Sequence, residues 1–326
     1  MTAKIIGTGS YLPEQVLTNH DLEKMVETSD EWITSRTGMK ERRIAGKDEH
    51  TSDMGAAAAL KAMEAANITA SDIDLILVAT LTPDYSFPST ACLVQALIKA
   101  PQAAAMDVQA ACSGYLYALM MAKSFVESGQ YRTVLLIASE KLSSIVNYKD
   151  RNTCVLFGDG ASACVVSLQG KGLAIRIVNL GADGELANLL ILPAGGSRNP
   201  ASAETVCAGE HFLKMEGKEV FKHAVRRMEA AAKQCLDQLT LTESDISWLV
   251  PHQANMRIIE ALAKRFEVPM EKVFMTIHKY GNTSASAVGI ALDELLKQNT
   301  LKSGDNLLLA AFGSGLTWGA SVLTNE

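Results

Sequence analysis

No stretch of this 326-residue chain stays apolar for the roughly 18 residues that a membrane-spanning helix needs. Its start, Met1-Thr2-Ala3-Lys4-Ile5-Ile6-Gly7, lacks the apolar core of a signal peptide. The expectation is a cytoplasmic protein with no membrane partner. No C-x-x-C pair occurs among the six scattered cysteines (Cys92, Cys112, Cys154, Cys164, Cys207 and Cys235), which argues against a zinc ribbon and a disulfide scaffold alike. The six histidines show no metal-ligand spacing, so no metal is expected. Positive charge is in deficit as well. The net charge of −6 argues against nucleic acid as the main partner, while leaving room for a local basic patch. The third glycine of a dinucleotide fingerprint is missing after Gly7-Thr8-Gly9, and Leu12-Pro13 stands where its helix would start, which argues against a nicotinamide-binding domain.

What is present is a chain that is 48% hydrophobic and 20% charged, able to bury a sizeable core and long enough for two α/β halves. A short repeat supports the division. Ser71-Asp72-Ile73 and Ser244-Asp245-Ile246 lie 173 residues apart, each between a helical stretch and an apolar strand. Halves over 1–172 and 173–326 follow. Short apolar runs bounded by turn residues predict strands over 74–80, 104–108, 133–138, 248–250, 306–311 and 317–323. Helices are predicted over 52–66, 89–99, 113–128, 214–238, 256–266 and 284–298. Segments 161–167 and 172–179 read as a hairpin, and 190–209 as the one long irregular stretch, a lid, pocket wall or surface loop. Alternating strands and helices imply a parallel-rich sheet covered on both faces, present twice.

Cys112 stands where a short strand hands over to a helix, in Ala110-Ala111-Cys112-Ser113-Gly114. Unpaired N–H groups and the positive end of a helix dipole stabilise a thiolate there, which turns a core residue into a candidate nucleophile. His252 ends the strand that carries the second copy of the repeat, and active sites of α/β folds gather at such carboxyl ends. Asn282, in Tyr280-Gly281-Asn282-Thr283-Ser284, reads either as a helix N-cap or as the counterpart of Cys112 in the second half. Phe312-Gly313-Ser314-Gly315 is a bend whose glycines let backbone approach a ligand, so the Ser314 N–H suits an oxyanion hole, or the bend is an ordinary hairpin turn.

Taken in order, these residues resemble the β-ketoacyl-acyl-carrier-protein synthase III family of the thiolase superfamily, over essentially the whole chain. The resemblance includes Ser29-Asp30-Glu31-Trp32-Ile33, Phe157-Gly158-Asp159-Gly160-Ala161, His252-Gln253-Ala254-Asn255, Gly281-Asn282-Thr283-Ser284 and Phe312–Gly319. It implies a thiolase-like α/β fold with layered α/β/α/β/α architecture. The middle of the glycine turn, often glycine in the family, is Ser314 here; since a backbone N–H is wanted, little changes. Elongating relatives pair Cys with two histidines, thiolases carry a second cysteine in the glycine turn, and hydroxymethylglutaryl-CoA synthases need a glutamate acid/base. This chain offers Cys112, His252 and Asn282 instead.

By that resemblance, an acyl-CoA, with acetyl-CoA foremost, acylates Cys112, and the oxyanion sits between the N–H groups of Cys112 and Ser314. Malonyl-acyl-carrier protein then loses CO₂ against His252 and Asn282, and its carbanion attacks the acyl-enzyme to start fatty-acid synthesis. CoA thioesters are substrates, and no cofactor is implied. Trp32 and Arg151 resemble an adenine clamp, with Thr28 and Arg36 near the CoA nucleotide and Gly217, Phe221 and Asn255 along the pantetheine arm. Phe87 resembles the residue that floors the acyl pocket of a partner, implying a homodimer. Lys222, Arg257, Lys264 and Arg265 resemble a docking face for an acidic carrier protein; Lys218 and Arg226 share a helix face with Lys222. A Cys-His-Asn relative using another starter in secondary metabolism, an idle acyl-CoA-binding protein and a cysteine hydrolase are the alternatives.

Overall fold

Successive side chains of a strand face opposite sides of a sheet, and here both sides are apolar. The computed structural model describes residues 1–326. In chain order its strands are β1 (Lys4–Tyr11), β2 (Gln15–Thr18), β3 (Glu41–Ile44), β4 (Leu75–Ala79), β5 (Ala104–Val108), β6 (Thr133–Glu140), β7 (Gly160–Ser167), β8 (Leu173–Ala182), β9 (Leu190–Ile191), β10 (Lys214–Met215), β11 (Ile246–Pro251), β12 (Asn306–Gly313) and β13 (Thr317–Asn325). Two ribbons, β2 with β3 and β9 with β10, stand apart. The other nine strands form one sheet in the order β11-β12-β13-β8-β1-β7-β6-β4-β5.

That sheet has a seam. β1 and β8 share only two residue pairs, Lys4 with Ala174 and Ile5 with Leu173. On one side the order is β5-β4-β6-β7-β1; on the other it is β11-β12-β13-β8, with Val273 adding one parallel bridge to Leu249 beyond β11. Counted in chain order within each half, with Val273 as a strand reduced to a single bridge, both halves follow 3-2-4-5-1. The repeat is also visible atom by atom. Thr69 Oγ1 and N–H both donate to Asp72 at 2.8 Å. Thr242 Oγ1 and N–H donate to Asp245 at 2.8 and 2.7 Å. Each closes a capping box before the strand that follows.

Two expectations change. Segments 161–167 and 172–179 are not a hairpin, because β1 lies between β7 and β8 and is antiparallel to both. The connection crosses the start of β1 so closely that a Cβ on Gly172 would sit 2.0 Å from the Ile5 carbonyl oxygen. Nor is the sheet parallel-rich. Only β4 with β5, β4 with β6 and β11 with β12 are parallel, and the pairings between them are antiparallel. Apolar runs report that both faces are covered, and strands of either direction satisfy that.

The layers follow from the alternation. Leu75, Leu77 and Ala79 of β4 enter one core cluster, while Ile76 and Val78 enter another. In β12, Leu307, Leu309 and Ala311 join the first of these, and Leu308 and Ala310 a third. The shared cluster holds the helices Gly114–Glu127 and Ser286–Gln298, which are therefore sandwiched between the half-sheets. Helices Thr51–Ala65 and Thr90–Leu97 cover the outer face of the first half-sheet, and Gly217–Leu239 and Met256–Arg265 that of the second. This is the layered α/β/α/β/α arrangement, with both central helices starting at one spot: a Cβ on Gly114 would lie 3.3 Å from Ala285 Cβ.

Gly7 and Gly9 also find their explanation in packing. The alanines of helix Thr51–Ala65 bring its backbone onto β1, and a Cβ on Gly9 would meet Ala58 O and Ala62 N at 2.5 Å. Backbone cannot yield as a flexible side chain does, so Gly9→Ala should cost about 1–3 kcal/mol. Thermal unfolding should show a lowered Tm for Gly9→Ala and none for Gly196→Ala, whose surroundings are open. Equal Tm values for the two variants would contradict this packing.

Candidate active site

Cys112 lies in the tight turn Ala111–Ser113 that opens the first central helix. Ala111 is held at φ +46°, a left-handed conformation that a non-glycine residue seldom takes. The glycine bend after β12 clamps this turn. A Cβ on Gly313 would lie 2.6 Å from the Cys112 amide nitrogen, so only glycine lets the two backbones meet. Ser113 Oγ and Thr317 Oγ1 lie 2.8 Å apart, and Thr317 Oγ1 also reaches Ala110 O at 3.0 Å and Ser314 O at 2.8 Å. Ser314 Oγ in turn donates to Leu190 O. Segment 190–209 therefore contributes a wall to the bend, and it includes β9 and a short helix, Ala203–Cys207.

His252 follows β11, with its N–H donating to Ala310 O at 2.7 Å. The neighbouring Gln253 accepts from the N–H groups of Thr276 and Ile277 at 3.0 and 3.2 Å and donates to Pro251 O at 2.6 Å, which fixes the strand end. The imidazole is buried, Nδ1 has no hydrogen-bond partner, and burial lowers its pKa to about 4. It is a neutral ring at physiological pH.

Asn282 forms a single parallel bridge with Phe157. Its N–H donates to Leu156 O at 2.8 Å, and its carbonyl accepts from Gly158 N–H at 3.1 Å. The approach needs Gly158, where a Cβ would lie 2.4 Å from Tyr280 O, and Gly281, held at φ +63°. Asn282 Oδ1 accepts from Ser284 N–H at 2.8 Å, which assigns the amide and leaves Nδ2 as the free donor. Two readings of Asn282 are thereby corrected. The helix Ser286–Gln298 is preceded by Ala285 as its N-cap, so Asn282 does not cap it. The residue 173 positions after Ala111 is Ser284, likewise left-handed at φ +52°, so the counterpart of Cys112 is Ala285 and Asn282 lies three residues ahead of it.

Two residues to which the sequence assigns no role complete the centre. Ser284 Oγ donates to Glu140 Oε1 at 3.0 Å. Glu140, at the end of β6, is wholly buried and raised to about 7 by that burial. The helix N-terminus suggests a thiolate at Cys112, yet burial pushes this thiol up to about 12, with the Ser284 hydroxyl acting in the opposite sense. The resting group is a neutral thiol.

The remaining expected residues lie on or beside three helices that touch in series, Asp30–Thr37, Met256–Arg265 and Gly217–Leu239, with one exception. Trp32 is flanked by the guanidinium groups of Arg151 and Arg36, 4.8 and 5.0 Å from its ring, and Arg151 is anchored on Glu27 O at 3.0 Å. Thr28 Oγ1 is buried beside them without a partner. Gly38, ending that helix, packs against Met256, which links this group to Asn255, the N-cap of helix Met256–Arg265. Arg257 lies 5.9 Å from the Phe221 ring, four residues along the helix from exposed Gly217. Among the basic residues, Lys222 is paired with Glu219 at 2.6 Å and Arg265 with Glu229, whereas Arg257 and Lys264 are exposed and belong to no ion pair. Phe87 is the exception: it stands 87% exposed near Tyr85, itself 62% exposed, away from these contacts.

Comparison with known proteins accords with this geometry. Residues 106–184 match the family model described as 3-oxoacyl-acyl-carrier-protein synthase III, and residues 236–325 match its C-terminal model. The β-ketoacyl-acyl-carrier-protein synthase III of Chlamydia caviae is 63% identical over 98% of this chain and 96% of its own length. A solved 3-oxoacyl-acyl-carrier-protein synthase III from Aquifex aeolicus is 50% identical, covers 99% of both chains and superposes with a TM-score of 0.91. The priming β-ketosynthase of a polyketide pathway is 35% identical, covers 99% of this chain and 96% of its own, and has a TM-score of 0.92. With nearly the full length matched at 63% identity, the chain belongs to the β-ketoacyl-acyl-carrier-protein synthase III family, the thiolase-fold acyltransferases whose condensation initiates fatty-acid synthesis.

Proposed function

We propose that Cys112 takes the starter acyl group, acetyl from acetyl-CoA foremost, and that His252 and Asn282 then stabilise decarboxylation of malonyl-acyl-carrier protein. The observation that carries this reading is the pair of neutral donors. Loss of CO₂ drives charge onto the thioester oxygen, and donors already aimed and desolvated stabilise it without reorganising. An amide does not titrate, and burial keeps His252 neutral down to about pH 4. In the first half-reaction the tetrahedral oxyanion would be held by the N–H groups of Cys112 and Ser314, whose backbones the Gly313 contact brings together.

The adenine would stack on Trp32, with Arg36 and Arg151 also placed to meet the CoA phosphates. Thr28 Oγ1, buried and without a partner, is a hydroxyl ready for a ligand. The arm would pass Asn255, Phe221 and Gly217. Phe87 and Tyr85 are too exposed for side chains of their size, which supports a homodimer in which Phe87 reaches the partner's acyl pocket. Six cysteines, all unbridged, suit the reducing cytoplasm.

His252→Ala and Asn282→Ala should each slow malonyl decarboxylation by roughly 10²-fold or more, and acetylation of Cys112 by less. Decarboxylation should stay level between pH 5 and 8, since His252 keeps its neutral form until acidification through about 4. A fall centred near pH 6.5 would mean that the ring titrates like a solvated histidine, against this assignment.

Carrier-protein docking leaves a different signature. Arg257 is an unpaired exposed cation beside Phe221, and rim charges set encounter rate and salt dependence. Arg257→Glu should raise the KM for malonyl-acyl-carrier protein and flatten its salt dependence, with little effect on acetylation by acetyl-CoA. An unchanged carrier KM at low salt would remove Arg257 from the docking face. For the dimer, sedimentation of Phe87→Glu should show a shift toward monomer relative to the parent, and an identical profile would count against Phe87 as an interface residue.

A further inference from the structure

We propose that Glu140 and Ser284 are positioning residues for Asn282: the Glu140 carboxylate holds the Ser284 hydroxyl, and the Ser284 N–H sets the plane of the Asn282 amide. The inference rests on the reading of Asn282 Nδ2 as a donor to the malonyl thioester.

Main-chain bonds to Leu156 O and Gly158 N–H fix the Asn282 backbone but leave its amide free to turn. Rotation about the bond that carries an amide is broad and nearly two-fold. The single partner of the Asn282 side chain is the Ser284 N–H, 2.8 Å from Oδ1, so the placement of Ser284 decides where Nδ2 points. Ser284 is held at φ +52°, a setting that glycine takes more readily. What serine adds there is a hydroxyl, and the one partner of that hydroxyl is Glu140 Oε1 at 3.0 Å.

Glu140 is itself locked. Thr80 Oγ1 and Leu81 N–H at 3.1 Å, Thr82 N–H at 3.2 Å and Thr82 Oγ1 at 2.7 Å all donate to Oε2, which leaves Oε1 for Ser284. The backbone of Glu140 pairs with Gly160 across β6 and β7, two residues from the Gly158 that grips Asn282. The side chain is 0% exposed and belongs to no ion pair, since the neighbouring Lys141 ammonium donates to Gly46 O at 2.8 Å and Glu49 O at 2.6 Å instead. An acid buried without a counter-charge is costly, and converging donors offset that cost. The end of β6 thus sets both the backbone and the amide of Asn282, while the turn of Cys112 is placed separately by the Gly313 bend. Breaking the link should therefore harm the malonyl half-reaction more than acyl transfer.

The test reads two rates: acetylation of Cys112 by labelled acetyl-CoA, and CO₂ release when the acetylated enzyme meets malonyl-acyl-carrier protein. Both are measured on the parent, Asn282→Ala, Ser284→Ala, Ser284→Gly, Glu140→Gln, Glu140→Leu and the double variant Asn282→Ala/Ser284→Ala. Ser284→Gly suits the left-handed backbone, so it removes the hydroxyl without the risk of misfolding that Glu140→Leu carries. Both Ser284 variants and Glu140→Leu should slow CO₂ release by about tenfold or more, and acetylation by less. Glu140→Gln should keep most of the parent's CO₂ release, because an amide can still accept from the donors of Thr80, Leu81 and Thr82 and still bond to Ser284. The double variant should release CO₂ no more slowly than Asn282→Ala, since without the amide nothing remains to be positioned. Parent-like CO₂ release in Ser284→Gly, equal losses in both of its rates, or losses that multiply in the double variant would overturn the positioning. Equal losses of both rates in Asn282→Ala would instead overturn the donor role of Asn282, and the positioning with it.

Discussion

The removal of water from the meeting point of the two half-sheets is the constraint on which the rest depends. It keeps Cys112 a thiol, His252 a neutral ring and Glu140 near neutrality in its affinity for a proton. In water these groups would titrate in their ordinary ranges and the divergence between them would disappear. Dehydration is achieved by contact between backbones rather than by bulky side chains. Gly114 against Ala285, Gly313 against Cys112 and Gly158 against Tyr280 are all positions where one carbon atom would hold the elements apart.

These contacts also divide the chemistry between the halves. The first half supplies the sulfur, Glu140 and the FGDGA loop that grips Asn282; the second supplies Ser284, Asn282, His252 and the glycine bend that grips Cys112. Neither half holds a complete site. The first half fixes Asn282 through main-chain hydrogen bonds, and the second holds the Cys112 turn through the Gly313 contact and the Thr317 hydroxyl.

Much of this was legible in the sequence, and the failures have physical reasons. Cys112 and His252 were readable because each stands at the end of an apolar strand, where period and punctuation are clear. Asn282 was found by its motif but misplaced by three residues, since a count along the chain cannot see which residue of a turn is left-handed. The supposed hairpin failed because adjacency in sequence says nothing of a strand already waiting between two others. Glu140 was invisible for a different cause, being an ordinary acid among 36 acidic residues, and Ser284 stood in a motif without a role of its own, a serine in a run of small residues. Only the Asn282 turn, folding back onto the end of β6, brings them together.

The place of β1 in the sheet carries a consequence for the growing chain. It is made before every other strand of its sheet, yet its long partner is β7, with Lys4 facing Ser167. At 5–20 residues per second, roughly ten to thirty seconds pass before that partner exists. During that interval β1 has both edges unpaired, and helix Thr51–Ala65, whose alanines receive Gly7 and Gly9, is the earlier element able to shelter it. The close fit between the glycines of β1 and that helix is thus also a means of guarding a nascent strand until its neighbours are made.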